Sequence, residues 1–149
     1  MKKILSILLI CSLLLGVMIT GQAAEFGEMI DGSILIREKE SFSDTTKTLR
    51  GAYYQSGSSY IGEAGSGKIT ASGTTNAHRA CDLEVSVMVE RLVNGNWVRY
   101  TSWSASKSGT TITSTKTLTV PRGYYYRVAC YHKAGPDSSG SYTNGIYIG

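Results

Sequence analysis

The most constraining feature of this sequence is a two-residue alternation that runs directly into an Asn-Gly pair. From Cys81 to Val89 every odd-numbered residue is apolar, whereas the even positions carry Asp, Glu, Ser and Met. A period of two places the odd side chains on one buried face of a strand. Asn94-Gly95 favours a two-residue turn, because both residues accept a positive φ. We therefore predict an antiparallel hairpin of residues 81–93 and 96–104.

Pairing Val93 with Asn96 across this turn sets the predicted register. The cross-strand neighbours are then Glu90 with Arg99, Val89 with Tyr100, Leu92 with Trp97, and Ser86 with Trp103. This register places both tryptophans on the outer side of the hairpin. A β-bulge would move part of one strand to the opposite face.

The remainder of the chain repeats short β-type segments separated by turn residues. None of these segments has helical periodicity, and their spacing of 8 to 14 residues is typical of a β-sandwich. The predicted strands are 49–54 with 59–61, 68–74, 81–93, 96–104, 111–120, 124–132 and 142–148. The sequence therefore predicts an all-β fold of about seven antiparallel strands.

The segment from Leu118 to Val128 resembles the corner between strands E and F of immunoglobulin-like and fibronectin type III domains. In that corner a Leu, a turn and a Tyr six residues on precede an inward alternation, and Leu118 and Tyr124 have this spacing. The resemblance implies a single immunoglobulin-like or fibronectin-III-like β-sandwich after an N-terminal signal helix. It bears on fold class and not on function.

A second resemblance extends over the whole chain. Its motifs are Gly32–Leu35, Leu49–Gly51, Glu63–Gly67, Val89–Arg91, Gly95–Trp97, Ser114–Thr117, Gly123–Val128 and Thr143–Ile146. With the N-terminal signal, these segments resemble a family of small secreted proteins from Firmicutes that is catalogued as a domain of unknown function. The motifs are turns, hairpins and strand faces, so the resemblance implies no catalytic or binding residue.

The N-terminus has the order of a secretory signal peptide. Lys2 and Lys3 precede an apolar stretch from Ile4 to Ile19, and small residues follow at 21 and 23. The apolar stretch is shorter than the roughly 20 residues that span a bilayer. We predict a signal peptide at 1–23, with cleavage after Ala24 as the near alternative. A flexible or edge-docked acidic leader at 24–47 and a β-sandwich domain at 48–149 follow, and the product is secreted.

Charge argues against nucleic-acid binding by the exported chain. Loss of Lys2 and Lys3 from 15 basic residues leaves 13 against 11 acids, a net charge of +2. Nucleic-acid binders usually carry a clustered basic face or run, which this sequence lacks. Contact with a membrane is expected only through the signal peptide before cleavage.

Two cysteines, Cys81 and Cys130, follow the predicted signal peptide. Alternation places both side chains on inward faces, and an even pair outside the cytosol is typically a disulfide. We therefore expect a Cys81–Cys130 bond, with two separate buried thiols as the alternative. No metal site is expected, because two Cys and two His without close spacing make a poor ligand set.

Aromatic residues are the best candidates for a binding surface. Exposed aromatic rings on a β-sheet stack on sugars or anchor a protein partner, although alternation buries some of them in the core. The candidates are Trp97, Trp103, Tyr125 and Tyr131. The predicted function is a secreted, non-enzymatic binding or surface-interaction protein whose partner is an envelope glycan or another protein.

Two other classes of function stay open. A secreted antimicrobial, toxin or inhibitor protein would act through a stable shape and mild positive charge. An extracellular hydrolase would need His132 in a cleft beside Asp137 and Ser138 or Ser139, but no strand–nucleophile–helix motif frames these serines. The Gly62–Ile69 segment departs from a phosphate-binding loop, because Ile69 stands where magnesium needs a hydroxyl. No cofactor is therefore expected.

Overall fold

The computed structural model describes residues 23–45 and 51–149, which form nine strands and no helix. The strands are β1 (Met29–Ile30), β2 (Ser33–Ile36), β3 (Glu40–Asp44), β4 (Tyr54–Gly65), β5 (Lys68–Val93), β6 (Asn96–Thr119), β7 (Tyr124–Ala134), β8 (Asp137–Tyr142) and β9 (Gly145–Ile148). The all-β prediction is confirmed.

The strands form a mixed sheet that curls into a half-barrel. Its main path runs β1-β2-β9-β7-β5-β4-β3, while β6 pairs with β5 and β8 pairs with β7. The central strand is β5. Along one edge, its first half pairs with β4 and its second half with β7, and along the other edge it pairs with β6. Strands β2 and β9 are parallel, so the described sheet is not wholly antiparallel as the sequence had predicted.

The hairpin of β5 and β6 is much longer than the sequence predicts. Asn94 and Gly95 have φ angles of 51° and 75°, which confirms the predicted turn. Strand β5 continues through both segments predicted at 68–74 and 81–93, and β6 likewise joins 96–104 to 111–120. An irregularity sets Asn76 opposite Thr111 and Cys81 opposite Gly109. Because such insertions bend and twist a strand pair, this irregularity interrupts the alternation in sequence without ending the strands.

A second bulge corrects part of the predicted register. Leu92 pairs with Trp97 and Glu90 pairs with Arg99, as predicted. After the pair of Glu90 with Arg99, Tyr100 is an extra residue on β6 that has no partner on β5. Val89 therefore faces Thr101, and Val87 faces Trp103. The predicted pairs of Val89 with Tyr100 and Ser86 with Trp103 are therefore wrong. One inserted residue moves every following side chain to the other face, which places Trp103 on the inner side.

The predicted disulfide is also wrong, because Cys81 and Cys130 are both free thiols. Strand β7 sets Cys130 opposite Val87, which lies six residues from Cys81 along β5. At about 3.3 Å per residue, six residues separate the two positions by about 20 Å. Bridged cysteines have Cα atoms within about 7 Å of each other. Alternation predicts the face of a cysteine but not its register against a distant strand.

The main core lies on the inner face of the curled sheet. Burial of each large apolar side chain stabilises the fold by roughly 1.5 to 3 kcal/mol. The fully buried side chains include Ile61, Ile69, Leu83, Val85, Val87, Val89, Tyr126, Val128, Ile146 and Ile148. A smaller cluster of Ile30, Leu35, Leu92 and Tyr125 lies on the outer face, with Ala24 and Trp97 packed against it.

The leader residues 24–45 lie at the two edges of the sheet. They contribute β1, β2 and β3, and their apolar side chains cover the outer cluster. Backbone bonds hold them in place, such as the 2.8 Å bond from the Gly27 N–H to the Leu35 carbonyl. These three strands raise the described count above the predicted seven. Six acids among 27 residues suggested a solvated segment, but burial of Ile30 and Leu35 outweighs that composition.

Two predicted boundaries fall outside the described residues. These are the signal peptide, apart from Ala23, and the domain start at residue 48. Within the described part of the chain, no helix is long and apolar enough to cross a membrane.

Candidate functional site

The four aromatic residues predicted to bind a partner do not share one surface. Trp103 lies on the inner face of β6, and Tyr125 is 8% exposed on the outer face of β7. Tyr131 is 46% exposed and stands between Ser86 on β5 and Gly140 on β8. These placements divide the predicted set between both faces of the sheet.

Trp97 lies beneath the leader, where other residues contact both its ring and its indole N–H. Its Nε1–H donates to the Ile30 carbonyl at 3.0 Å, and the Arg127 guanidinium lies 4.7 Å from the ring centroid. Arg127 also forms a buried ion pair with Glu90, with 2.6 Å between Nε and Oε2. Its Nη1 donates to the Asp31 carbonyl at 3.0 Å. Trp97 therefore belongs to the contacts that fix the leader, because its indole N–H is already occupied.

Trp103 is half-buried against the main core. Its Nε1–H donates to the Ser114 hydroxyl at 3.0 Å, and the Lys116 ammonium lies 4.9 Å from the ring centroid. Ser114 and Lys116 belong to the same strand beyond the bend near Gly109. The indole therefore bridges the two halves of β6 from the inner side.

Tyr125 lines a cleft, which we name the aromatic groove. Phe26, Tyr124, Tyr125 and Tyr147 line it, and Asn94 lies in its wall. The groove has a volume of about 830 Å³. Four aromatic residues from three separate segments line it, at the end of the sheet beside the Asn94-Gly95 turn.

Strand pairing positions the rings of the aromatic groove. The antiparallel register of β7 and β9 sets Tyr125 opposite Tyr147, and their ring centroids are 5.2 Å apart. Phe26 meets Tyr125 edge to face at 5.9 Å, because the leader folds over this end of the outer face. Tyr147 is 46% exposed and Phe26 is 48% exposed. The groove thus has a buried ring at its floor, two accessible rings in contact with it, and a further exposed ring, Tyr124, in its lining.

Two arginines stack on aromatic rings of residues that line the groove. The Arg91 guanidinium lies 4.5 Å from the Tyr124 centroid, and the Arg37 guanidinium lies 4.6 Å from the Phe26 centroid. Burial raises the pKa of Tyr125, and the neighbouring Tyr147 raises it further. The Tyr125 phenol is therefore neutral at physiological pH and keeps its O–H donor.

The groove has the chemistry of a binding surface. Its walls combine aromatic faces with the amide of Asn94 and the phenolic hydroxyls, a combination that suits a ligand with both apolar faces and hydroxyls. The residues that line it include no His, Cys, Ser, Asp or Glu.

The predicted hydrolase arrangement around His132 is not assembled. The His132 ring is fully buried, with Nδ1 2.9 Å from the Thr75 hydroxyl and Nε2 2.8 Å from the Ser141 hydroxyl. Burial lowers the pKa of His132 to about 4, and the charge of Asp44 opposes this shift only in part. The imidazole is therefore neutral at pH 7 and serves as a buried polar contact between β5, β7 and β8.

Asp137 also has a structural contact in place of a catalytic one. Its Oδ2 accepts the backbone N–H groups of Tyr53 at 2.7 Å and Tyr54 at 3.1 Å. These two bonds lower the pKa of the Asp137 carboxyl. The carboxylate therefore ties the start of β8 to the start of β4. No group of three metal-ligating side chains occurs in residues 23–45 and 51–149.

No protein-family model and no curated protein matches the chain.

Two residues of the aromatic groove were missed by the sequence analysis. Phe26 lies in the leader, where an acidic composition had suggested a flexible or edge-docked arm. Tyr147 lies in a strand that the sequence had predicted at 142–148, and its alternation with Ile146 and Ile148 could have marked it as outward-facing. Neither signal brings the two residues together, because their proximity depends on how the leader docks.

Proposed function

We propose that this chain is a secreted, non-enzymatic binding protein that holds a glycan in the aromatic groove. The observation that carries the proposal is the meeting of Phe26, Tyr124, Tyr125 and Tyr147 in one accessible cleft. Sugar rings have an apolar face that packs on aromatic rings and hydroxyls that hydrogen-bond to phenols and amides. Secretion rests on the predicted signal peptide.

The placement of the groove residues supports binding over a purely structural role. A Tyr that only completes a core is buried, whereas Tyr147 and Tyr124 are 46% and 38% exposed. Tyr125 anchors Tyr147 and Phe26 from the floor, because its own ring is 8% exposed and contacts both of their rings. A pre-positioned set of rings loses little conformational freedom when a ligand binds.

Two resemblances remain predictions beside this proposal. They are the likeness to immunoglobulin-like and fibronectin-III-like β-sandwiches and the likeness to the small secreted proteins of Firmicutes. An experimental structure, with related sequences aligned to it, tests both.

A binding screen with matched tyrosine variants tests the proposal. The purified chain is applied to a panel of soluble oligosaccharides and to insoluble peptidoglycan. Tyr147→Ala should weaken glycan binding about tenfold, since one aromatic contact is worth about 1.5 kcal/mol. Tyr131→Ala is the control, because Tyr131 has the same 46% exposure and lies outside the groove.

Two results would overturn the proposal. One is the absence of binding by the wild-type chain to every glycan tested. The other is equal glycan affinity in Tyr147→Ala and the wild-type chain, with circular dichroism showing that both are folded.

A further inference from the structure

The longest strand edge in the described sheet has no partner. Strand β6 spans Asn96–Thr119 and pairs with β5 along one edge only. Among residues 23–45 and 51–149, no strand pairs with its other edge. An open edge presents a row of backbone N–H and C=O groups that another extended chain can pair with.

Apolar side chains along β6 are covered on one side only. Trp103, Ala105 and Leu118 pack against the main core but stay partly exposed. They point to the inner face, opposite Val87, Val85 and Ile69 of β5. A strand added at this edge would continue the curl of the sheet and would bring its own inward side chains over these three residues.

The charge of the edge selects the kind of strand that fits. Strand β6 carries Arg99, Lys107 and Lys116 and has no Asp or Glu. None of these three cations forms an ion pair within the described parts of the chain. Lys107 and Lys116 are exposed on the same inner face as Trp103. Opposite charges across adjacent strands stabilise pairing, and like charges weaken it.

A second copy of this chain fits the edge poorly. Two β6 strands side by side would bring six cations together, three from each copy, with no anion on either strand. In the antiparallel register with full overlap, Arg99 of each copy would face Lys116 of the other. The three cations therefore act against self-pairing, as charged residues often do on natural sheet edges.

We propose that β6 binds an extended acidic segment of another protein by strand addition. The partner segment contributes backbone hydrogen bonds along the edge. Its inward positions place apolar side chains over Trp103 and Leu118, and carboxylates beside Lys107 and Lys116. This surface is separate from the aromatic groove and does not depend on glycan binding.

Peptide titration with a tryptophan readout tests this proposal. The probe is a capped peptide of about sixteen residues, which spans about 53 Å when extended and can reach from Trp103 to Leu118. Its outward positions are Thr, and its inward positions carry Val at both ends, over Trp103 and Leu118, and Glu between them, beside Lys107 and Lys116. One control peptide replaces each Glu by Lys, and another carries prolines that cannot donate to a strand ladder. The Trp97→Phe variant leaves Trp103 as the reporter, because the chain has two tryptophans.

The Glu peptide should shift Trp103 fluorescence and bind at least about tenfold more tightly than either control peptide, with affinity falling as salt rises. Lys107→Glu combined with Lys116→Glu should remove most of this affinity. Lys133→Glu, at an exposed position of β7, should not change it. Tyr147→Ala should also bind the peptide normally, which separates this test from that of the aromatic groove.

Three results would overturn the proposal. The first is the absence of any fluorescence change with the Glu peptide. The second is equal affinity for the Glu, Lys and proline peptides. The third is concentration-dependent dimerisation that the Lys107→Glu and Lys116→Glu pair alters, because that outcome assigns the edge to a second copy.

Discussion

Acidification should destabilise this protein through His132. The ring is fully buried and neutral, and burial lowers its pKa to about 4 from an ordinary 6.5. The unfolded chain therefore binds a proton between these two values that the folded chain does not. The stabilisation is present above about pH 6.5 and is lost as the pH falls towards 4. The full difference corresponds to about 3 kcal/mol, and about 2.5 kcal/mol of it is lost by about pH 4.5.

Urea unfolding at about pH 7.5, 6.5, 5.5 and 4.5 measures this loss. Other groups titrate in the same range, including Asp137, whose depressed pKa also removes stability at low pH. The His132→Gln variant isolates the contribution of the imidazole. Between about pH 7.5 and 4.5, the free energy of unfolding of this variant should fall by about 2.5 kcal/mol less than that of the wild-type chain. His78→Gln, at an exposed position, should retain the wild-type slope. Equal slopes in the His132→Gln and wild-type chains would refute the reasoning.

Two further predictions concern buried charge and thiols. Arg127→Ala should lower the free energy of unfolding by about 3 to 5 kcal/mol, since it leaves a carboxylate buried without its partner. Lys39→Ala, in an exposed ion pair, should cost less than about 1 kcal/mol in the same urea experiment. Reductant should leave the mass and the unfolding midpoint unchanged, and a thiol reagent should label Cys81 before Cys130, because burial raises the pKa of Cys130 to about 12. A gain of two hydrogens on reduction would contradict the free-thiol assignment.

Local pattern predicted the features of this fold that depend on neighbours in sequence. The alternation after Cys81 and the Asn94-Gly95 turn indicated the central hairpin and its first pairs, and both are present. The inward faces of the cysteines also followed from alternation. Each of these features is set by the period of a single strand or by the conformation of a single turn.

Features that depend on insertions or on distant pairing could not be predicted in this way. The extra Tyr100 on β6 reverses the face of Trp103, and nothing in the local sequence marks the bulge. The register of β7 against β5 separates Cys81 from Cys130, because it is decided by core packing and not by either strand alone. The aromatic groove needs the leader folded over Tyr125, which the acidic composition of that segment concealed.

The aromatic groove is tested most directly by mapping a bound oligosaccharide on the protein by nuclear magnetic resonance. The account predicts that chemical-shift changes concentrate on Phe26, Tyr124, Tyr125 and Tyr147, while the ring of Tyr131 is unaffected. Changes centred on Tyr131, with the groove rings unaffected, would contradict it.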